Sequence, residues 1–170
     1  MKKLSLLLVV TMLAATLLVG CGGDDSSSSN DTSKDKAYDG FTFELKGEKV
    51  ELNAEMAPIV DALGDADNYF ESESCAFQGL DKVYTYGSVV ITTYPESEVD
   101  YVYSIELKDD SVETAEGVYI GASKDDVIAA YGDDAEDTGS ALVYTKGESK
   151  LNFMLNGDTV SSIVYLAITE

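Results

Sequence analysis

Past its first 40 residues, the chain reads as a helix-and-strand unit written twice. Met56, Ile59, Val60 and Leu63 follow the i, i+3, i+4, i+7 spacing that puts one apolar stripe on a helix. Asn53 can cap the start of that helix, Pro58 is tolerated near its first turn, and Gly64 can end it. The second copy begins at Ser123, with Asp126 three residues on as a capping-box variant. It runs through Val127, Ala130 and Tyr131 to Gly132. Leu63-Gly64-Asp65 and Tyr131-Gly132-Asp133 are the same punctuation.

Strand-forming runs follow each helix. Lys82–Tyr86 and Val89–Tyr94 flank Gly87-Ser88, where glycine first suits a type II′ hairpin. Asp100–Leu107 returns after a looser Pro95–Val99 turn. In the second copy Ala141–Thr145 and Lys150–Leu155 flank Lys146–Ser149. Asn156-Gly157, a type I′ signal, leads into Thr159–Ile168. Tyr84-Thr85-Tyr86-Gly87 aligns with Tyr144-Thr145-Lys146-Gly147, and Ser104-Ile105 with Ser162-Ile163. A hairpin is expected before each helix: Phe41–Leu45 with Lys49–Leu52, and Ser104–Leu107 with Ser111–Thr114. The expected fold class is therefore α+β: tandem helix-plus-antiparallel-meander repeats, about 41–108 and 109–170, with the helices packed on one face of the sheet.

The N-terminal 20 residues read as a targeting signal. Lys2 and Lys3 precede an apolar run that ends in Leu18-Val19-Gly20-Cys21, too short and wrongly flanked for a plain transmembrane helix. The pattern resembles the bacterial lipoprotein signal peptide with its lipobox. That resemblance implies lipidation of Cys21 and a mature chain held on the outer face of the bacterial cell membrane. Residues 21–40 are nearly devoid of apolar side chains and read as an acidic, serine-rich tether. The globular domain is expected at 41–170.

Charge narrows the function. The chain has 32 acids and 11 bases, a net −21, with no histidine. It also lacks arginine and tryptophan. Nucleic acid is excluded as a partner, because phosphate contacts need lysine or arginine. Without histidine there is no Ser–His–Asp or Cys–His arrangement, and the chain has no Cys-x-x-Cys or glycine-rich phosphate loop. An enzyme is not expected. Cys75, in Ser74-Cys75-Ala76-Phe77, reads as a buried structural thiol.

Two sets of residues are candidates for binding. Tyr84 and Tyr86 share a strand face, as do Tyr101 and Tyr103, and Tyr144 repeats the pattern. Tyrosine offers rigid, amphipathic contact area, so these five form the candidate binding surface, although they could equally line a core. The acidic stretch 133–139 offers Asp133, Glu136 and Asp137 as Ca²⁺ ligands without fitting an EF-hand loop, and could equally be a solvated loop.

Gly117-Val118-Tyr119-Ile120-Gly121-Ala122-Ser123-Lys124-Asp125-Asp126-Val127, then Tyr131-Gly132, carries a family likeness. It resembles the helix entry in the secreted β-lactamase inhibitory protein, a tandem of αβ repeats, and in small outer-membrane assembly lipoproteins of the SmpA/OmlA type. The chain as a whole looks like surface lipoproteins of Gram-positive bacteria. It departs from the inhibitor in lacking its cysteine pairs and tryptophans. The resemblance implies a protein-binding surface on an exposed sheet face. The expected function is a lipid-anchored, non-enzymatic module that binds an envelope or extracellular protein. A small-ligand or divalent-cation-binding lipoprotein, and a hydrolase using two carboxylates, are the alternatives.

Overall fold

The computed structural model describes residues 37–169, so the signal, Cys21 and most of the proposed tether lie outside the described residues. Among those described, the chain forms ten strands and two helices. In chain order they are β1 (Thr42–Leu45), β2 (Glu48–Glu51), α1 (Met56–Leu63), β3 (Asn68–Glu73), β4 (Leu80–Tyr86), β5 (Val89–Glu96), β6 (Val99–Leu107), α2 (Lys124–Tyr131), β7 (Glu136–Asp137), β8 (Ala141–Lys146), β9 (Ser149–Asn156) and β10 (Thr159–Ala167).

β1 and β2 make a two-stranded hairpin. The other eight strands form one antiparallel sheet in the order β3-β4-β5-β6-β10-β9-β8-β7. Two four-stranded meanders meet at the centre, where Ile163–Leu166 of β10 pair with Leu107–Ser104 of β6. Period-two alternation then sorts the sheet into two faces. Val89, Ile91, Ile105, Leu107, Ile163, Tyr165, Leu151 and Phe153 point to one side and are buried. Phe43, Val50, Leu52, Met56, Leu63, Val118, Ala122 and Val127 cover them from above. Each large apolar side chain so buried contributes about 1.5–3 kcal/mol before entropy is counted.

This architecture corrects the expected α+β class. The chain is mostly β, with two eight-residue helices among the described residues and one continuous eight-stranded sheet. The acidic stretch 133–139 contains a strand, β7, and residues 68–73, to which the sequence assigned no strand, form β3; each takes a ladder from one neighbour. An edge strand needs only one partner, so its side chains can remain polar and betray no alternation. Ser111–Thr114, by contrast, is no strand. Only Glu113 bridges, to Tyr119, so the second hairpin is missing.

Local chemistry explains the helix ends. Ser123 Oγ accepts from the Asp126 amide at 3.1 Å, and Asp126 Oδ2 accepts from the Ser123 amide at 3.0 Å, a full capping box. α1 has no such cap. Its N-cap is Glu55, and Asn53 sits at φ 61° outside the helix. Asn156 also behaves otherwise than expected. It is the last residue of β9, pairing with Thr159, so Gly157 and Asp158 are the central turn residues. Only Gly157 has positive φ, 63°, which makes the turn II′-like rather than I′.

Candidate functional site

The five candidate tyrosines divide by depth. Tyr86 (2% exposed) and Tyr144 (5%) are core residues. The Tyr86 hydroxyl donates to the Gly64 carbonyl at 3.1 Å, and the Tyr144 hydroxyl donates to the Gly132 carbonyl at 2.8 Å. Each thus satisfies a carbonyl at the end of a helix that its own backbone cannot. Tyr84 is half-buried on the same face, its ring 5.0 Å from that of Tyr69. Burial raises the pKa of all three hydroxyls above the usual 10.0, keeping them neutral. Tyr101 and Tyr103 are half-buried and exposed, respectively, and lie apart from these three.

Tyr101 and Tyr103 belong to a different grouping, where the sheet parts. β10 pairs with β6 only as far as Ser104. Beyond it, residues 53–55 take up the vacated edge: the Asn53 amide donates to Val102 O at 2.8 Å, the Val102 amide donates to Ala54 O at 2.9 Å, and Glu55 bridges to Tyr101. The register shifts where Thr92 and Thr93 of β5 pair with Ser104 and Val102, so Tyr103 is the extra, bulged residue of β6, and Tyr94 lies directly across from Tyr101. The Tyr94 ring lies 5.7 Å from Tyr101, 6.2 Å from Tyr103 and 5.0 Å from Phe77.

Each partner in this cluster is positioned by an identifiable contact. The Tyr94 hydroxyl donates to Asn53 Oδ1 at 3.1 Å. Ser74 Oγ accepts from the amides of Ala76 and Phe77, folding the β3–β4 connection so that Phe77 reaches Tyr94. Gly79 closes that connection at φ 129°, and a Cβ there would lie 3.0 Å from the Pro95 ring. The rings open on a cleft of about 660 Å³ lined by Asn53, Phe77, Tyr94, Glu96, Tyr101, Glu148 and Ile168. That volume lies in the range that holds a small molecule or a partner's side chain. Burial, then the Glu96 carboxylate and Tyr101, push the Tyr94 pKa up, so its hydroxyl remains a donor. The arrangement supplies stacking surface, an amide and carboxylates, which suit recognition.

The proposed calcium ligands are not brought together. Glu136 and Asp137 are adjacent residues of β7, so their side chains leave opposite faces. Asp137 is engaged elsewhere: Lys124 Nζ donates to it at 2.6 Å and the Gly139 amide at 2.8 Å. Lys124 first, then that amide, hold its carboxyl below the usual range. Among the described residues no group of three or more acids, cysteines or histidines is placed to hold a metal. Asp67, in the equivalent acidic stretch after α1, accepts from the Gly87 amide at 2.7 Å and so pins the β4–β5 turn. Cys75, expected to be buried, is an exposed free thiol on the irregular connection between β3 and β4.

Sequence reasoning missed Asn53, Phe77, Tyr94 and Glu96. A signal for Tyr94 was present, since a hairpin turning at Ser97-Glu98 sets Tyr94 opposite Tyr101. Phe77 gave none, because its position depends on the irregular connection before β4. Tyr69 (48% exposed) and Phe70 (61%) were also missed; they lie on β3, the outermost strand of the sheet. On the sheet face opposite the core, Val83, Val90, Val164 and Leu166 are half-buried.

Compared with protein-family models, with curated proteins and with solved structures, the chain matches none.

Proposed function

We propose that this chain is a lipid-anchored, extracytoplasmic binding module that acts by protein–protein contact and carries out no chemistry of its own. The observation that carries the reading is the cluster of Phe77, Tyr94 and Tyr101 lining an open cleft, with exposed Tyr103 packed edge-on against Tyr94. Aromatic side chains are the usual anchors of protein interfaces, giving large contact area at little entropic cost. The Leu18-Val19-Gly20-Cys21 pattern supports anchoring through a lipid on Cys21, on the outer face of the bacterial cell membrane. A net charge of −21 favours a partner with a cationic surface.

The test is a cross-linked capture from native cell envelopes, with the full chain as bait beside its Tyr101→Ala/Tyr103→Ala variant. One stoichiometric protein, lost or at least tenfold depleted in the variant, is the expected result. Equal capture by both baits contradicts a role for the cluster.

The cleft volume favours one second reading, capture of a small ligand between Phe77, Tyr94 and Tyr101. A protein-free envelope extract that raises the melting temperature of the wild-type chain and leaves the Tyr101→Ala variant unchanged would select it.

A further inference from the structure

We infer that β3 is a docking edge for an extended, basic segment of a partner protein, which adds to the sheet as a ninth strand. The inference rests on the reading of the chain as a protein-binding module and names the chemistry of its partner. β3 ends the sheet and pairs only with β4, over all six of its residues. The Ser74 amide donates to Gly79 O at 3.0 Å, in register with the β3–β4 ladder. In an antiparallel ladder alternate residues turn both backbone groups to the same neighbour. Phe70 and Ser72 therefore share the orientation of Ser74, and Tyr69, Glu71 and Glu73 turn their N–H and C=O groups away from β4. The opposite edge of the sheet offers nothing comparable, since β7 is two residues long and Asp137 is paired with Lys124.

The side chains of β3 specify the occupant. Tyr69, Glu71 and Glu73 share one face, and Phe70 stands on the other. The Tyr69 hydroxyl donates to Glu71 at 2.6 Å, which fixes the carboxylate along the edge. Lys82, the cross-strand neighbour of Glu71, is committed to Asp100 at 2.6 Å. An added strand would meet a row of carboxylates on one face and an exposed aromatic ring on the other. Alternating basic and apolar residues complement that pattern at period two. A second copy of the chain is disfavoured as occupant, because antiparallel β3–β3 pairing gathers two Glu71 and two Glu73 carboxylates between molecules of net charge −21.

The probe is a labelled eight-residue peptide alternating lysine and valine, with an alternating glutamate–valine peptide as control. Both are titrated by fluorescence anisotropy into the full chain in detergent micelles. Glu71→Pro removes an outward N–H without touching the β4 ladder, and Glu71→Lys/Glu73→Lys reverses the charge on an intact backbone. The expected result is binding of the lysine peptide about tenfold or more tighter than the control, weakened about tenfold by each variant and by raised salt. The amides of Tyr69, Glu71 and Glu73 should gain protection from hydrogen exchange. Absence of binding, binding unchanged in Glu71→Pro, or protection elsewhere overturns the inference. So does a dimer in sedimentation velocity that Glu71→Pro dissolves, which would make the occupant a second copy. An envelope partner captured equally by wild type and Glu71→Pro rejects the edge and leaves the module reading standing. Peptide binding as expected, with no envelope partner captured, counts against the module reading alone.

Discussion

Tyr86 and Tyr144 carry the clearest residue-scale lesson. Alternation puts both on the core side of the sheet, where a phenol is costly unless its hydroxyl finds a partner. Both find a glycine carbonyl at a helix end. The two hydrogen bonds are equivalent, yet sequence alignment on the turn glycines pairs Tyr144 with Tyr84 instead, a slip of two residues. The burial of a tyrosine was legible only as an ambiguity, because strand periodicity gives the face and not the side that is covered. Tyr144→Phe keeps the ring and orphans the Gly132 carbonyl. It should cost about 0.5–1.5 kcal/mol in urea unfolding with an unchanged m-value. A loss below the error of measurement would mean that water replaces the hydroxyl freely.

At the scale of elements, turn and cap chemistry was read most easily, being local. The capping box at Ser123 and Asp126 needs only four consecutive residues. The central hairpin strands were visible for the same reason. β3 and β7 were not, since a polar edge strand is defined by what it pairs with. The β5–β6 turn is an instructive exception. Ser97 and Glu98 both sit at positive φ, 50° and 68°, without glycine or asparagine. The glutamate there is held in a region that favours glycine. Replacing the pair by Asn-Gly relieves that left-handed strain, offset in part by glycine's greater unfolded freedom; it should stabilise the chain by about 0.5–1 kcal/mol, read as a higher melting temperature, and leave the cleft beside Glu96 intact. Destabilisation would show that the native side chains make a compensating contact.

For the whole molecule, the join of β6 to β10 decides the class. It makes one sheet from two meanders, and no repeat pattern could reveal whether they would fuse or stack. The candidate site suffers the same limit. Its aromatic cluster is assembled from β5, β6 and the β3–β4 connection, with Asn53 reaching in from before α1, so only the Tyr101–Tyr103 part was readable. The fold also has a pH signature. Burial is the first cause raising the pKa of Tyr86, Tyr94, Tyr131, Tyr144 and Tyr165. A raised folded pKa means that the folded state keeps its protons above pH 10, where the unfolded chain releases them. Their contribution is intact below pH 10 and is lost as pH rises beyond it. Tyrosinate absorbance should therefore appear together with loss of the far-ultraviolet β signal in an alkaline titration. Ionisation of all eleven tyrosines near pH 10 with the fold intact would contradict the packing described.

On the proposed reading the chain binds a protein through the aromatic cluster at the parted end of its sheet. Cross-linked capture from native envelopes, comparing the full chain with Tyr101→Ala/Tyr103→Ala, decides it. One stoichiometric protein partner that is retained by the wild type and depleted at least tenfold in the variant is the predicted result. No protein partner, or one held equally by both baits, would contradict it.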